Sequence, residues 1–295
     1  MSDEIIELNQ DEAGWGVKKP KKKFPYLNLI LFLITLFTTT FAGALFSGRE
    51  PKNLGDLTAG LPFSISLLTI LLCHEFGHYL MSKRYDVEAT LPYFIPAPSF
   101  IGTFGAIIKM KSVVKSKKAL INIGATGPLA GFFVSLPFLF YGLAHSSMTK
   151  LTGEAMVLGD SLIMKLATYL VWGKIPEGYD IVLHPVAFAA WIGMFVTAMN
   201  LIPVGQLDGG HILYAMFTKN FRKITFFSLI ALLILGFTKW EGWLIWAFLL
   251  FLLGKNHPPV EDIYEELQFR ERMIGYISIV VFVLTFIPAP FQNIP

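Results

Sequence analysis

The residues best suited to chemistry lie in one short stretch, His74-Glu75-Phe76-Gly77-His78. In an α-helix, residues four apart share one face and lie about 6 Å apart along the axis, so the two imidazoles point to the same side. The pattern H-E-x-x-H on a helix lets two histidines bind one zinc ion while the glutamate acts as a general base. The stretch therefore predicts a hydrolytic zinc site with His74 and His78 as ligands and Glu75 as the base.

A third zinc ligand has to come from elsewhere, because catalytic zinc usually has three protein ligands and one open position. Residues 200–211, NLIPVGQLDGGH, offer Asp208. A proline and a glycine before Asp208 interrupt the helical pattern, and the two glycines after it predict a turn, so Asp208 is expected on irregular backbone that can reach the metal. The carboxylates of Glu75 and Asp208 then balance the charge of Zn²⁺, which suits a site of low dielectric constant. His211 is the alternative third ligand.

These residues lie in a chain with the composition of a membrane protein. Of the 295 residues, 54% are hydrophobic and 15% are charged, whereas soluble domains carry about 25% charged residues. Seven apolar runs without Lys or Arg predict an all-α polytopic membrane protein with six or seven transmembrane helices. Residues 260–272, VEDIYEELQFRER, predict an amphipathic surface helix before the last span. The apolar runs are 29–46, 61–81, 119–143, 185–202, 224–237, 242–254 and 274–287.

The basic residues predict the orientation of the chain in the lipid bilayer. With the N-terminus in the cytosol, 18 of the 24 Lys and Arg fall on the cytosolic side, as the positive-inside rule requires. The net charge of +3 therefore needs no nucleic acid as a partner. We predict a cytosolic tail at residues 1–27 and a single membrane-embedded domain at residues 28–295. The tail resembles neither a cleaved signal nor an organelle transit peptide. A prokaryotic cell membrane is expected, with the active site nearer the cytosol.

The cytosolic loop after the second apolar run is apolar, yet its pattern is not helical. In residues 91–112, LPYFIPAPSFIGTFGAIIKMKS, three prolines exclude a continuous helix, and alternation over residues 104–111 predicts a strand. A strand edge can hold an extended substrate through backbone hydrogen bonds. Gly105, Ile107 and Ile108 are therefore predicted to position a substrate.

Three motifs in order carry a family resemblance: HEFGH, then GATGPLAGF at residues 124–132, then NLIPVGQLDGGH. Together they resemble the site-2 protease family of intramembrane zinc metalloproteases, over a catalytic core at about residues 61–217. The resemblance implies that the substrate is a transmembrane helix of another protein. It also implies that the loop after HEFGH is a short re-entrant β-hairpin that touches the substrate. Many relatives carry a PDZ domain or a nucleotide-sensing domain, and this sequence shows neither.

The resemblance also implies roles for individual residues. It implies one zinc ion per chain, with Glu75 as the catalytic acid and base. Asn200 is implied to orient the scissile bond. The implied zinc ligands are His74, His78 and Asp208.

Three other functions fit parts of the pattern. A metal transporter or channel would need further ionisable residues along the other spans, and the sequence shows none. A protease of soluble chains would carry H-E-x-x-H in a polar helix instead of an apolar run. A catalytically silent scaffold would not need the intact Glu75. The sequence therefore predicts a protease that works inside the membrane.

Overall fold

The computed structural model describes residues 24–150, 155–254, 259–262 and 264–294. Most of the predicted cytosolic tail, residues 1–23, lies outside the described part. The helices of the described residues are α1 (Tyr26–Phe46), α2 (Leu54–Leu57), α3 (Leu61–Arg84), α4 (Lys117–Ala144), α5 (Leu162–Trp172), α6 (Pro185–Asn200), α7 (Asp208–Met216), α8 (Phe221–Thr238), α9 (Gly242–Leu253) and α10 (Phe269–Thr285). The strands are β1 (Tyr93–Pro96), β2 (Thr103–Ile107), β3 (Ser147–Lys150), β4 (Ala155–Leu158), β5 (Tyr179–Val182) and β6 (Phe291–Ile294).

Each of the seven apolar runs forms a helix, which confirms the predicted all-α polytopic fold class. Four helical segments are long and apolar enough to cross a membrane, at residues 26–46, 54–84, 117–144 and 218–238. Helix α6 is shorter, with 16 residues, and most of its side chains are buried. It can be short and apolar on all sides because neighbouring helices surround it. The chain is an integral membrane protein.

Helices α3, α4 and α6 form the centre of the bundle. Their apolar contacts include Phe63 and Ile70 of α3, Leu139 of α4 and Trp191 of α6, all at most 2% exposed. The buried indole of Trp191 donates a hydrogen bond to the carbonyl of Gly159 at 2.8 Å, so its polar atom is not left unsatisfied. This packing holds α3 and α6 side by side and brings their functional residues to one place.

Two short sheets join distant parts of the chain on one side of the bundle. Strand β3 pairs with β5, and β4 pairs with β6, both antiparallel. Paired strands lie on the same side of a membrane, so the chain must cross it an even number of times between β4 and β6, as single crossings by α6, α8, α9 and α10 would do. The pairing of β4 with β6 therefore favours seven spans over six.

The loop after α3 forms a two-stranded hairpin of β1 and β2, as predicted. Strand β2 ends at Ile107, four residues before the predicted end, although a bridge between Ala89 and Met110 continues the pairing. The hairpin lies against α1, where the side-chain amide of Asn28 donates to the carbonyls of Leu91 and Pro92. Helix α1 therefore fixes the position of the hairpin.

The prediction of a surface helix over residues 260–272 is wrong. Among the described residues of this stretch only those from Phe269 onward are helical, where α10 begins. The backbone N–H groups of Glu261 and Asp262 instead donate to the carbonyls of Val114 and Lys115. These long-range hydrogen bonds hold the segment extended against the start of α4, so tertiary contacts override its helical pattern.

Candidate active site

Two histidines and one carboxylate converge inside the bundle. His74 and His78 lie on α3, and Asp208 begins α7. The Oδ2 atom of Asp208 lies 3.4 Å from Nε2 of His74 and 3.2 Å from Nε2 of His78. Ligand atoms of the three residues lie within 4.8 Å of one another, and both imidazoles are buried. Two imidazole nitrogens and a carboxylate oxygen form a donor set that suits zinc.

Asp208 reaches the histidines by a route that differs from the predicted one. The two glycines after it do not reverse the direction of the chain. They are helical and lie at the start of α7. The irregular backbone comes earlier, at residues 201–207, where Gly205 has a φ of +59°. A Cβ atom at Gly209 or Gly210 would collide with backbone carbonyls of that segment. Glycine is needed here because α7 packs directly on the end of α6. The position at the helix N-terminus also favours a negative charge on Asp208.

A hydrogen bond on the far side of the ring prepares the imidazole of His78 to bind a metal. Nδ1 of His78 lies 2.7 Å from the carbonyl oxygen of Ile123. A carbonyl only accepts hydrogen bonds, so Nδ1 carries the proton and the lone pair of Nε2 faces Asp208. Nε2 of His74 lies 3.3 Å from the side-chain amide nitrogen of Asn200, which places Asn200 at the edge of the cluster. The residues therefore fit a zinc ion.

The glycines of the second motif make room for these rings. A Cβ atom at Gly127 of α4 would collide with the imidazole of His78. One at Gly131, a turn later, would lie 3.1 Å from Nδ1 of His74. A face of α4 without side chains thus allows both histidines to pack against it, which explains why two glycines recur at this spacing.

Glu75 lies beside the cluster in a cavity of about 200 Å³. Its side chain is buried, and the backbone N–H of Ile108 interacts with its carboxylate. The N–H groups of Lys109 and Lys111 point the other way, toward the β1 side of the hairpin. Successive backbone groups of a strand point to opposite edges, so the open edge of the hairpin faces Glu75 and the cavity.

The structure brings most of the remaining predicted site residues to this cavity. Asn200, Ile107 and Ile108 line it. Gly105 does not, and a Cβ atom there would have nothing within 4 Å. Its φ of +99° assigns it a conformational role in the hairpin instead. His211 lines the cavity but is not among the three residues whose ligand atoms converge. The geometry therefore favours Asp208 over His211 as the third ligand.

The comparisons with known proteins agree with this geometry. Residues 62–236 match the family described as Peptidase family M50, which is more than half of the chain. The chain belongs to peptidase family M50. The family assignment covers every residue of the cluster, together with the cavity residues on α6 and α7.

Relatives of this M50 chain include plant proteins. "Probable zinc metalloprotease EGY1, chloroplastic" of Arabidopsis thaliana is 31% identical over 240 residues, which cover 78% of the chain and 43% of the relative. "Probable zinc metalloprotease EGY2, chloroplastic" of the same plant is 31% identical over 246 residues, with 81% and 44% covered. EGY1 of Oryza sativa subsp. japonica is 30% identical over 292 residues, with 89% and 50% covered. The M50 chain thus spans half or less of the length of these relatives.

Two contributors to the site are missing from the sequence prediction. Gln206 lines the cavity and lies within the motif that supplied Asp208, so its polar side chain next to a helix break was a usable signal. The carbonyl of Ile123, which orients His78, carries no such signal. Backbone acceptors depend on the path of the chain and not on the type of side chain.

Proposed function

We propose that this M50 protein is an intramembrane zinc metalloprotease that hydrolyses a peptide bond in or near a transmembrane helix of a membrane-protein substrate. The observation that carries the proposal is the position of the His74, His78 and Asp208 cluster. The cluster is buried among apolar helices, beside a carboxylate and facing the open edge of a β-hairpin. His74 lies about 20 Å along α3 from its start, which is well within the span.

The residues of the site divide the reaction between them. His74, His78 and Asp208 would hold the zinc ion, and a bound zinc ion supplies Lewis-acid catalysis, which polarises a carbonyl and lowers the pKa of water to about 7. Glu75 takes a proton from the attacking water and delivers it to the leaving nitrogen as the C–N bond breaks. Asn200 offers an amide N–H at the edge of the cluster, where it can hold the scissile carbonyl.

The hairpin supplies what an unwound substrate needs. A helical substrate has its carbonyls bonded within the helix, and in lipid every freed N–H and C=O group needs a new partner. The open edge of β2 and the residues after it can supply these partners by accepting the substrate as an added strand. Ile107 and Ile108 line the cavity, where their backbone can pair with the substrate. Gly105 shapes the strand through its positive φ.

A reporter assay tests the proposed activity. Purified protein should cleave a membrane-embedded reporter helix that contains Asn, Gly or Pro near the cut, and a zinc chelator should abolish that cleavage. A matched reporter helix of leucine and alanine alone should be cleaved at least about tenfold more slowly, because it resists unwinding. Cleavage that persists under chelation would contradict the metal mechanism. Cleavage of soluble peptides with no cleavage of either reporter would contradict the intramembrane substrate.

Proline substitution tests the role of the hairpin. Ile108→Pro removes an N–H from the open edge, and Ile107→Pro disturbs the strand next to it. Both should slow cleavage at least about tenfold while bound zinc, measured by elemental analysis, stays unchanged. Val113→Pro, in the same loop but outside the strand, is the matched control and should cleave normally. Normal cleavage by both hairpin variants would refute this role.

The orientation and the membrane are also part of the proposal. The 18-to-6 distribution of basic residues supports a cytosolic N-terminal tail at residues 1–27, a single membrane-embedded domain at residues 28–295 and a site nearer the cytosol. The names of the relatives place those proteins in chloroplasts. For this chain the proposed location is a prokaryotic cell membrane, with the N-terminal side in the cytosol.

Cysteine labelling tests the orientation. The single cysteine, Cys73, is first replaced by alanine, and one new cysteine is then introduced per variant. An impermeant thiol reagent applied from outside should label Thr149→Cys, in the loop after α4, and should not label Val113→Cys, in the loop after α3. The opposite result would overturn the proposed orientation.

A further inference from the structure

Two cavities adjoin at the end of α7, and neither shares a lining residue with the proposed active-site cavity. The first holds about 370 Å³ and is almost entirely apolar, and it lies between α7, α8 and α10. The second holds about 350 Å³ and is polar, and it lies at the start of α4 and α10. Met216 and Phe217, at the end of α7, line both cavities. The two cavities, one polar and one apolar, therefore lie side by side and share the end of α7 as a common wall.

The polar end lies at the boundary of the membrane. Lys117 is the first residue of α4, and Arg272 lies in the first turn of α10, so both are at the same end of the bundle. The apolar groove continues from there along α10. From Tyr276, which lines the polar cavity, to Val283, which lines the apolar groove, the helix rises about 10 Å. The two cavities are thus ordered like the parts of a lipid, with the polar cavity at the surface and the apolar cavity inside.

The charges at the polar end match a particular kind of headgroup. Lys117, Arg272 and Glu266 line this cavity, which gives two positive charges and one negative charge. The Nε of Arg272 donates to the carbonyl of Leu267 at 3.0 Å, which fixes the guanidinium at the cavity wall. The neighbouring Lys118 pairs with the buried Glu271 at 3.7 Å. This ion pair neutralises the charges of Lys118 and Glu271. Lys117, Arg272 and Glu266 are then the charged groups that a ligand in the cavity meets.

We propose that the two cavities together hold one aminophospholipid of the phosphatidylethanolamine type, which passes over Met216 and Phe217. Its phosphate lies between Lys117 and Arg272, its ammonium group contacts Glu266, and one acyl chain occupies the apolar groove. Lipid tails are as apolar as the groove, so exchanging one tail for another yields little free energy. Selectivity must therefore come from the headgroup, and basic pockets between transmembrane helices are known to bind lipid headgroups. The carboxylate of Glu266 disfavours a purely anionic headgroup and favours one that carries an ammonium group.

Titration of the purified full-length protein in detergent with dioleoylphosphatidylethanolamine tests the headgroup contacts, with binding followed by native mass spectrometry. The double variant Lys117→Gln, Arg272→Gln should bind at least tenfold more weakly than the wild type. The double variant Lys115→Gln, Arg270→Gln removes the same charge nearby, outside the cavity, and should bind normally. Equal loss in both double variants would show that only the general surface charge matters and would overturn the proposal.

A second pair of variants tests the groove. Ile279 lines it and Val280, the next residue of α10, does not, although both side chains are well exposed at 44% and 56%. Ile279→Trp should fill the groove and weaken binding at least fivefold, whereas Val280→Trp should not. Binding of glycerophosphoethanolamine, which has no tails, as tightly as the full lipid would contradict the groove. Equal or tighter binding of dioleoylphosphatidylglycerol would contradict the headgroup assignment.

Discussion

Replacing Glu75 with glutamine should lower the rate of substrate cleavage at least about a hundredfold, because general acid–base catalysis contributes at least that much. The zinc content should stay unchanged. Glutamine has the same size as glutamate, and its amide oxygen can still accept from the N–H of Ile108 that interacts with Glu75. The variant therefore keeps the shape of the cavity and the position of the hairpin. It loses only the group that takes the proton from water.

The measurement combines single-turnover cleavage of the reporter helix with elemental analysis of the same preparation. Glu88→Gln is the matched control, because it makes the same chemical change at an exposed position near the hairpin and should cleave at the wild-type rate. Residual cleavage by Glu75→Gln within about tenfold of the wild type would remove Glu75 from the role of base. Loss of zinc would show instead that Glu75 holds the metal.

Asp208→Asn should remove the bound zinc and, with it, all cleavage. Asparagine keeps the shape of aspartate but lacks the negative charge that compensates the metal in a buried site. Changes to residues that only orient metal ligands reduce metal affinity about 10- to 100-fold, so loss of a direct ligand should exceed about a hundredfold. Elemental analysis after dialysis against a weak chelator measures the effect, and the retained helical circular dichroism signal confirms that the variant folds.

His211→Asn is the matched test for Asp208. His211 is on the same helix and lines the same cavity, yet it lies outside the converging group of ligands. We expect this variant to retain zinc. Full zinc content in Asp208→Asn together with its loss in His211→Asn would identify His211 as the third ligand and reverse the assignment.

The sequence alone determined the features that depend on neighbouring residues. His78 lies four positions after His74, and helical geometry by itself places them on one face. The seven apolar runs became helices because a backbone in lipid has to satisfy its own hydrogen bonds. The prolines of the loop after α3 excluded a helix there, and the hairpin of β1 and β2 is what formed.

The tertiary structure decided the features that depend on distant residues. Asp208 meets the histidines because α7 begins where the chain folds back onto the end of α6, and not because of a turn at its glycines. The described residues between 260 and 268 are not helical because the backbone of Glu261 and Asp262 bonds to Val114 and Lys115. The four residues of β4 carry no pattern of their own and pair with β6, more than 130 positions away. A local pattern specifies what a segment can form in isolation, but long-range contacts select among these possibilities by the hydrogen bonds and packing that they add.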